Sequence, residues 1–236
     1  MFMSKLRGTK QKNRIWWILV VVVLGFSLVG SYAVWTGGGN IPTNSNQSTP
    51  NNVVDQKAAA EQTIKDTKSS IQAIETRLKA TKDPEEIGSL NLALGNYHYD
   101  IAQSYTFELN KQTEGVNEFK QATVAYDAAV KYDAKDADMR VDYATAAMYS
   151  GQNELAKAQF EEAIKINPKH LNSRNNYAVF LFQSEKKYPE ALAQLAVAQE
   201  LAKGDKAAEA RVSQLMSAIQ AEVNKPATTT NTTYSK

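Results

Sequence analysis

The sequence predicts an all-α fold of helix hairpins stacked side by side, preceded by one helix for a membrane. Three observations predict it. Glycine and proline number only 11 and 6 in 236 residues and are scarce outside residues 36–52, so helix-favouring Ala, Lys, Glu and Gln dominate the body. Small residues and large aromatics recur at one interval: Tyr126 to Phe160 and Ala129 to Ala163 are each 34 apart. An uncharged apolar run extends from Ile15 to Trp35. With 43% hydrophobic residues, the chain can build one sizeable domain plus appendages.

The first 14 residues read as a basic cytoplasmic segment carrying Lys5, Arg7, Lys10, Lys12 and Arg14. Residues 15–35, IWWILVVVVLGFSLVGSYAVW, are long enough to cross a hydrocarbon layer of about 30 Å as one helix. Trp16, Trp17 and Trp35, the chain's three tryptophans, bracket the run as interfacial anchors. Positive charge only before the span places the N-terminus in the cytoplasm and the body outside it. The competing reading is a cleaved signal peptide, for which Ser31-Tyr32-Ala33 offers a small-x-small site. Residues 36–52, TGGGNIPTNSNQSTPNN, contain almost nothing that could enter a core and form a flexible linker. Over 53–80 an amphipathic helix is expected, with Ile64, Ile71 and Leu78 seven apart and Ala60, Thr67 and Ile74 four before each. That seam either covers the open end of the hairpin stack or makes a homodimer.

Asp83-Pro84-Glu85-Glu86 starts the next helix, with an N-cap Asp, a first-turn Pro and acids at the positive end of the dipole. The plainest hairpin is residues 137–170, ADMRVDYATAAMYSGQNELAKAQFEEAIKINPKH, which run helix, turn, helix and close near Asn167-Pro168. Antiparallel helices with close backbones need small residues at the crossing and one large side chain between them. Ala144, Ala156 and Ala163 supply the room, Phe160 fills it, and Pro168 ends the unit. With this spacing the stretch resembles a tetratricopeptide repeat and meets five of eight signature positions. Arg140, Tyr143 and Ala147 stand where that family has Trp, Leu and Tyr.

The resemblance implies a solenoid over 84–224, with repeats at about 84–136, 137–170 and 171–204 and a capping helix at 205–224. In the first repeat, Leu94-Gly95 and Ala122, Tyr126 and Ala129 take the packing positions. Fifteen extra residues between Gly95 and Tyr126, shared evenly, lengthen both helices by about two turns and put the turn near Asn110 to Gly115. The overhang carries Tyr105 and Phe107, for a partner or for packing on the 53–80 helix. The third repeat uses Tyr177-Ala178, Ala191, Leu195 and Ala198, with one residue inserted near Tyr188-Pro189. The cap's apolar face is Val212, Leu215, Met216, Ile219 and Val223, and the tail at 225–236 is too polar to fold.

Composition narrows the function. There is no cysteine, hence no disulfide, thiolate metal site or thiol nucleophile. Five of the 27 basic residues precede Asp55, which leaves 22 against 25 acidic side chains in the body, a poor nucleic-acid binder. The two histidines, His98 and His170, sit 72 residues apart with no HExxH, phosphate loop or Ser/His/Asp set around them. Neither catalysis nor a metal or other cofactor is therefore expected.

What the resemblance implies is a concave groove lined by the first helix of each repeat. Its lining would be Asp138, Val141, Thr145, Met148 and Tyr149 in the second repeat and Asn172, Asn175, Val179, Phe182 and Gln183 in the third. Ser89, Leu92, Asn96, Tyr99 and Asp100 are the counterparts in the first. The basic clamp by which some family members hold a C-terminal carboxylate is missing, since those places hold Leu92, Asn96, Asp142, Asn172 and Asn176. An uncharged groove for a partly apolar peptide or helix is expected. The layout is similar to single-span tetratricopeptide proteins of export or envelope assembly, which implies a membrane-tethered, non-enzymatic scaffold with a protein partner. Competing expectations are an organelle import receptor with cytosolic repeats and a structural protein self-assembling through the 53–80 helix.

Overall fold

The chain is described by a computed structural model for residues 53–225, which hold eight α-helices and no strand. The readings on 1–52, including the membrane run and its three tryptophans, and on the tail beyond Lys225 lie outside the described residues. Among the described residues no helix is long and apolar enough to cross a membrane.

Helix α1 (Val53–Ala80) runs into α2 (Pro84–Gln103), which continues as a π-helical turn, Ser104–Glu108, before α3 (Gln112–Ala129). Two further hairpins follow, α4 (Ala137–Tyr149) with α5 (Asn153–Ile166) and α6 (Leu171–Gln183) with α7 (Tyr188–Leu201). Helix α8 (Lys206–Val223) ends the stack. The helix starts are written locally. Asp83, Asp136 and Asp205 each accept a hydrogen bond from a backbone N–H of the first turn they cap, satisfying donors that have no carbonyl four residues back.

The hairpin turns share one geometry. Asn110, Gly151 and Lys186 have φ of 55°, 80° and 57°, and each directly precedes the residue that starts the second helix of its hairpin. Two of these are not glycine, and the following backbone N–H anchors each: Lys111 N to Tyr105 O at 2.7 Å and Lys187 N to Leu181 O at 2.8 Å. The residue inserted in the third repeat is taken up in this turn, just ahead of Tyr188.

Inside each hairpin one large side chain faces one small residue. Phe160 and Ala144 are fully buried together, as are Leu195 and Ala178, and Tyr126 lies against Gly95. Bulk on one helix trades against bulk on the other: the largest wedge faces the residue with no side chain. The 34-residue interval extends to polar pairs. Arg140 donates to the Ala134 carbonyl and to Gln159 Oε1, and Arg174 donates to the Pro168 carbonyl and to Gln194 Oε1. Tyr143 and Tyr177 donate to Asp127 and Glu161, each 16 residues earlier. Arg140, where the resembled family has Trp, thus ties the two helices of its hairpin and the preceding turn by hydrogen bonds instead of a ring.

The extra residues of the first hairpin go where the even split predicts, into the end of α2 with its π turn and the first turns of α3. The two backbones cross so closely there that a Cβ on Gly115 would sit 1.9 Å from Thr106 Oγ1. The overhang packs on its own chain. Tyr105 lies with Ile101 and Leu109 against Ile64 and Ile71 of α1, and its hydroxyl accepts from Lys68 Nζ at 3.1 Å. Ala60, Ile64 and Ile71 are buried in this contact, each isoleucine contributing about 1.5 to 3 kcal/mol, while Thr67, Ile74 and Leu78 are half-buried. The seam of α1 is thereby used on α2. At the other end Ala208, Val212, Leu215 and Ile219 bury the inner face of α8, while Val223 is 51% exposed, past the end of the helix it covers.

Candidate peptide-binding groove

The first helices α2, α4 and α6 form one continuous row, each touching the next, whereas α3 and α5 lean on the following first helix. The row of first helices is therefore the inner side of the curve. Alternating close and wide spacing follows from the small residues at the hairpin crossings.

The residues expected on this face are distributed as follows. Asp138 is exposed and pairs with His170 Nε2 at 3.0 Å. Val141, Thr145, Val179 and Phe182 are buried between helices, and the Thr145 hydroxyl bonds back to the Val141 carbonyl at 2.8 Å. Met148 packs on the core. Tyr149 is half-buried, stacked on Phe119 at 5.0 Å and met edge-on by Phe107 at 5.6 Å. Asn172, Asn175 and Gln183 are half-buried. In the first hairpin Ser89 is exposed, Leu92 is half-buried against the core, and Asn96 Oδ1 accepts from the Tyr126 hydroxyl at 2.8 Å. Phe107 thus reaches from the overhang to close one end of the groove with an aromatic column.

The groove is acidic, which departs from the expectation of an uncharged one. Asp142 on α4 is half-covered, and loss of water pushes its carboxyl up to about 7. The negative charges of Asp138, Asp136 and Asp100 add to this, with His170 opposing. Asp100 on α2 keeps solvent on one side but is crowded enough by protein that desolvation raises it to about 6. Asp138 goes the other way, held below the usual carboxylate range by its hydrogen bond to His170. The His170 ring itself is oriented by Ser173 Oγ, 2.8 Å from Nδ1.

Two side-chain polar atoms on this face are buried with no hydrogen-bond partner, the Tyr99 hydroxyl and Asn175 Oδ1. Tyr99 is 4% exposed, its ring held edge-on by Phe119 at 5.4 Å. Burial drives its phenol well above the ordinary value, followed by the charges of Asp142, Tyr149 and Asp100. The hydroxyl therefore faces the same space as the carboxylates. His98, by contrast, is engaged outside the groove, with Nδ1 2.7 Å from Glu118 Oε2. Among the described residues no group of three or more His, Asp or Glu side chains is placed to hold a metal ion.

Sequence reasoning had placed Asp100, Asp138 and Asp142 at groove positions, but not their shared field. The legible signal was the spacing of Asp138 and Asp142, one helical turn apart beside the N-cap Asp136.

No protein-family model matches the chain, and no curated protein matches it. Solved structures do. The type III secretion translocator chaperone SycD of Yersinia enterocolitica is similar at 22% identity over 55% of this chain and 86% of that one, with a TM-score of 0.43. TTC0263, a tetratricopeptide protein of Thermus thermophilus, is similar at 18% identity over 70% and 99%, with a TM-score of 0.43. The TPR2AB domain of yeast Sti1, solved with pHSP90, is similar at 14% identity over 71% and 98%, with a TM-score of 0.39.

Proposed function

We propose that this chain is a membrane-tethered, non-enzymatic scaffold or assembly factor whose groove along α2, α4 and α6 holds a segment of a partner protein outside the cytoplasm. The observation that carries the reading is the pair of buried polar atoms on the groove face, Tyr99 Oη and Asn175 Oδ1, left without partners within the chain. Each such atom costs about 1 to 3 kcal/mol in the free protein, a cost that a partner's donor on that face removes. The tether rests on the apolar run from Ile15 to Trp35 and on the basic residues before it. A role in export or envelope assembly is the setting in which an outward-facing scaffold with this layout would work.

Protease treatment of intact cells and crosslinking on the outer membrane face, followed by co-purification, test this together. The reading expects the body to be cleaved from outside and one specific protein to be recovered. Cleavage only after the cytoplasm is opened, or recovery of no specific partner, refutes it.

A further inference from the structure

The groove carries more negative charge than its partners within the chain neutralise. Asp142 has no ion pair, the one basic group bearing on it is His170, and His170 is already engaged with Asp138 and Ser173. Beside Asp142, across the α2–α4 contact, lies the buried Tyr99 hydroxyl with no hydrogen-bond partner, and Asp100 follows Tyr99 on α2. An apolar peptide would bury these groups further without satisfying any of them. A donor with positive charge satisfies all of them at once.

From this juxtaposition we infer that the groove between α2 and α4 is a receptor for an arginine side chain of the partner, with Asp142 and Asp100 accepting from its guanidinium and Tyr99 Oη accepting one further N–H. The inference rests on the groove reading above and names what that groove selects. Three features favour guanidinium over other cations. The carboxylates sit on two different helices and do not converge to ring a metal ion. A planar fork with five donors spans separated acceptors where a compact ammonium reaches fewer. Guanidinium also sheds water more readily on entering a half-covered site and lies favourably against rings, here Tyr99 and Tyr149.

The groups facing Asp142 are Tyr99 and Asp100 on α2, Asp136, Asp138 and Tyr149 on or capping α4, and His170 at the start of α6. Protons taken up by Asp142 and Asp100 remove the acceptor charge, so binding weakens toward acid pH.

The test is fluorescence anisotropy of dye-labelled hexa-arginine with the full-length chain in uncharged detergent, alongside hexa-lysine and hexa-glutamate. The expected result at pH 8 is binding of hexa-arginine, weaker binding of hexa-lysine and none of hexa-glutamate. Asp142→Asn should weaken hexa-arginine binding about tenfold and Tyr99→Phe about threefold, whereas Glu200→Gln, an exposed acid on α7, should leave it unchanged. Circular dichroism melting confirms that each variant is folded. Absence of hexa-arginine binding, equal affinity for hexa-lysine, or an unchanged affinity in Asp142→Asn overturns the inference. If that happens while crosslinking still recovers a specific partner, only the arginine assignment falls. If the partner is lost as well, the groove reading falls with it.

Discussion

Replacing Gly95 by alanine sets two effects of opposite sign against each other. Gly95 lies inside α2 with ordinary helical backbone, so on propensity alone Gly95→Ala should stabilise the helix by about 0.5 to 1 kcal/mol. The added Cβ, however, would sit 2.7 Å from both Cδ1 and Cε1 of Tyr126. That ring cannot swing away. It is 1% exposed, it lies 6.1 Å from the Tyr143 ring, and its hydroxyl is bound to Asn96. Overpacking of a filled core costs about 1 to 3 kcal/mol, so the net effect is a loss of about 1 kcal/mol or more. For a body of this size that is a drop in Tm of roughly 2 to 4 °C per kcal/mol. Urea and thermal unfolding of the full-length chain measure it. A second variant shows whether the ring is the cause. Combining Gly95→Ala with Tyr126→Leu mimics the Ala178–Leu195 pair of the third hairpin, and the double-mutant cycle should show a favourable coupling of about 0.5 to 3 kcal/mol. A stabilised Gly95→Ala, or a coupling of zero, would refute the matching of wedge to small residue.

The groove carboxylates make stability depend on pH with an unusual sign. Because Asp142 and Asp100 have folded values of about 7 and about 6, above the roughly 3.9 of the unfolded chain, the native state holds more protons between these limits. Stability should therefore fall as pH rises from about 4 to about 7, and Asp142→Asn should flatten the slope and add about 2 kcal/mol at pH 8 after allowance for the groove's solvent contact. Urea midpoints at several pH values check both, and a slope unchanged by the substitution removes Asp142 as its source. Arg140→Ala should cost about 1 to 3 kcal/mol, since it strips donors from the Ala134 carbonyl and from Gln159, and Arg174→Ala should cost a similar amount at the next hairpin. A neutral result at both sites in equilibrium unfolding would show that these bridges add no stability.

The hairpin architecture was legible because its determinants are local and periodic. Small residues at Ala144, Ala156 and Ala163 around Phe160 repeat at one interval, and the extra length before Tyr126 could go only to the turn end of the first hairpin. The helix starts were legible for the same reason, each written in an Asp and the residues just after it. The groove's character was less so, because it depends on groups brought together from separate helices. Asp142 reads as an ordinary surface acid until α2 and the start of α6 enclose it, and Tyr149 reads as a free anchor until the π turn carries Phe107 onto its ring. Arg140 and Arg174 repeat at 34 residues and were visible in principle, but their partners lie across a turn and on a second helix, at spacings that no local pattern marks.

The absence of native cysteine allows the central claim to be tested one face at a time, since any introduced cysteine carries a unique label. A photoreactive maleimide placed at Asn172→Cys on the groove face of α6, or at Val124→Cys on the outside of α3, where the native side chain is 67% exposed, compares the two sides of the solenoid. A partner adduct formed from position 172 and absent from position 124 is the expected result. An adduct that forms equally from both, or only from position 124, would contradict the assignment of the inner row as the binding face.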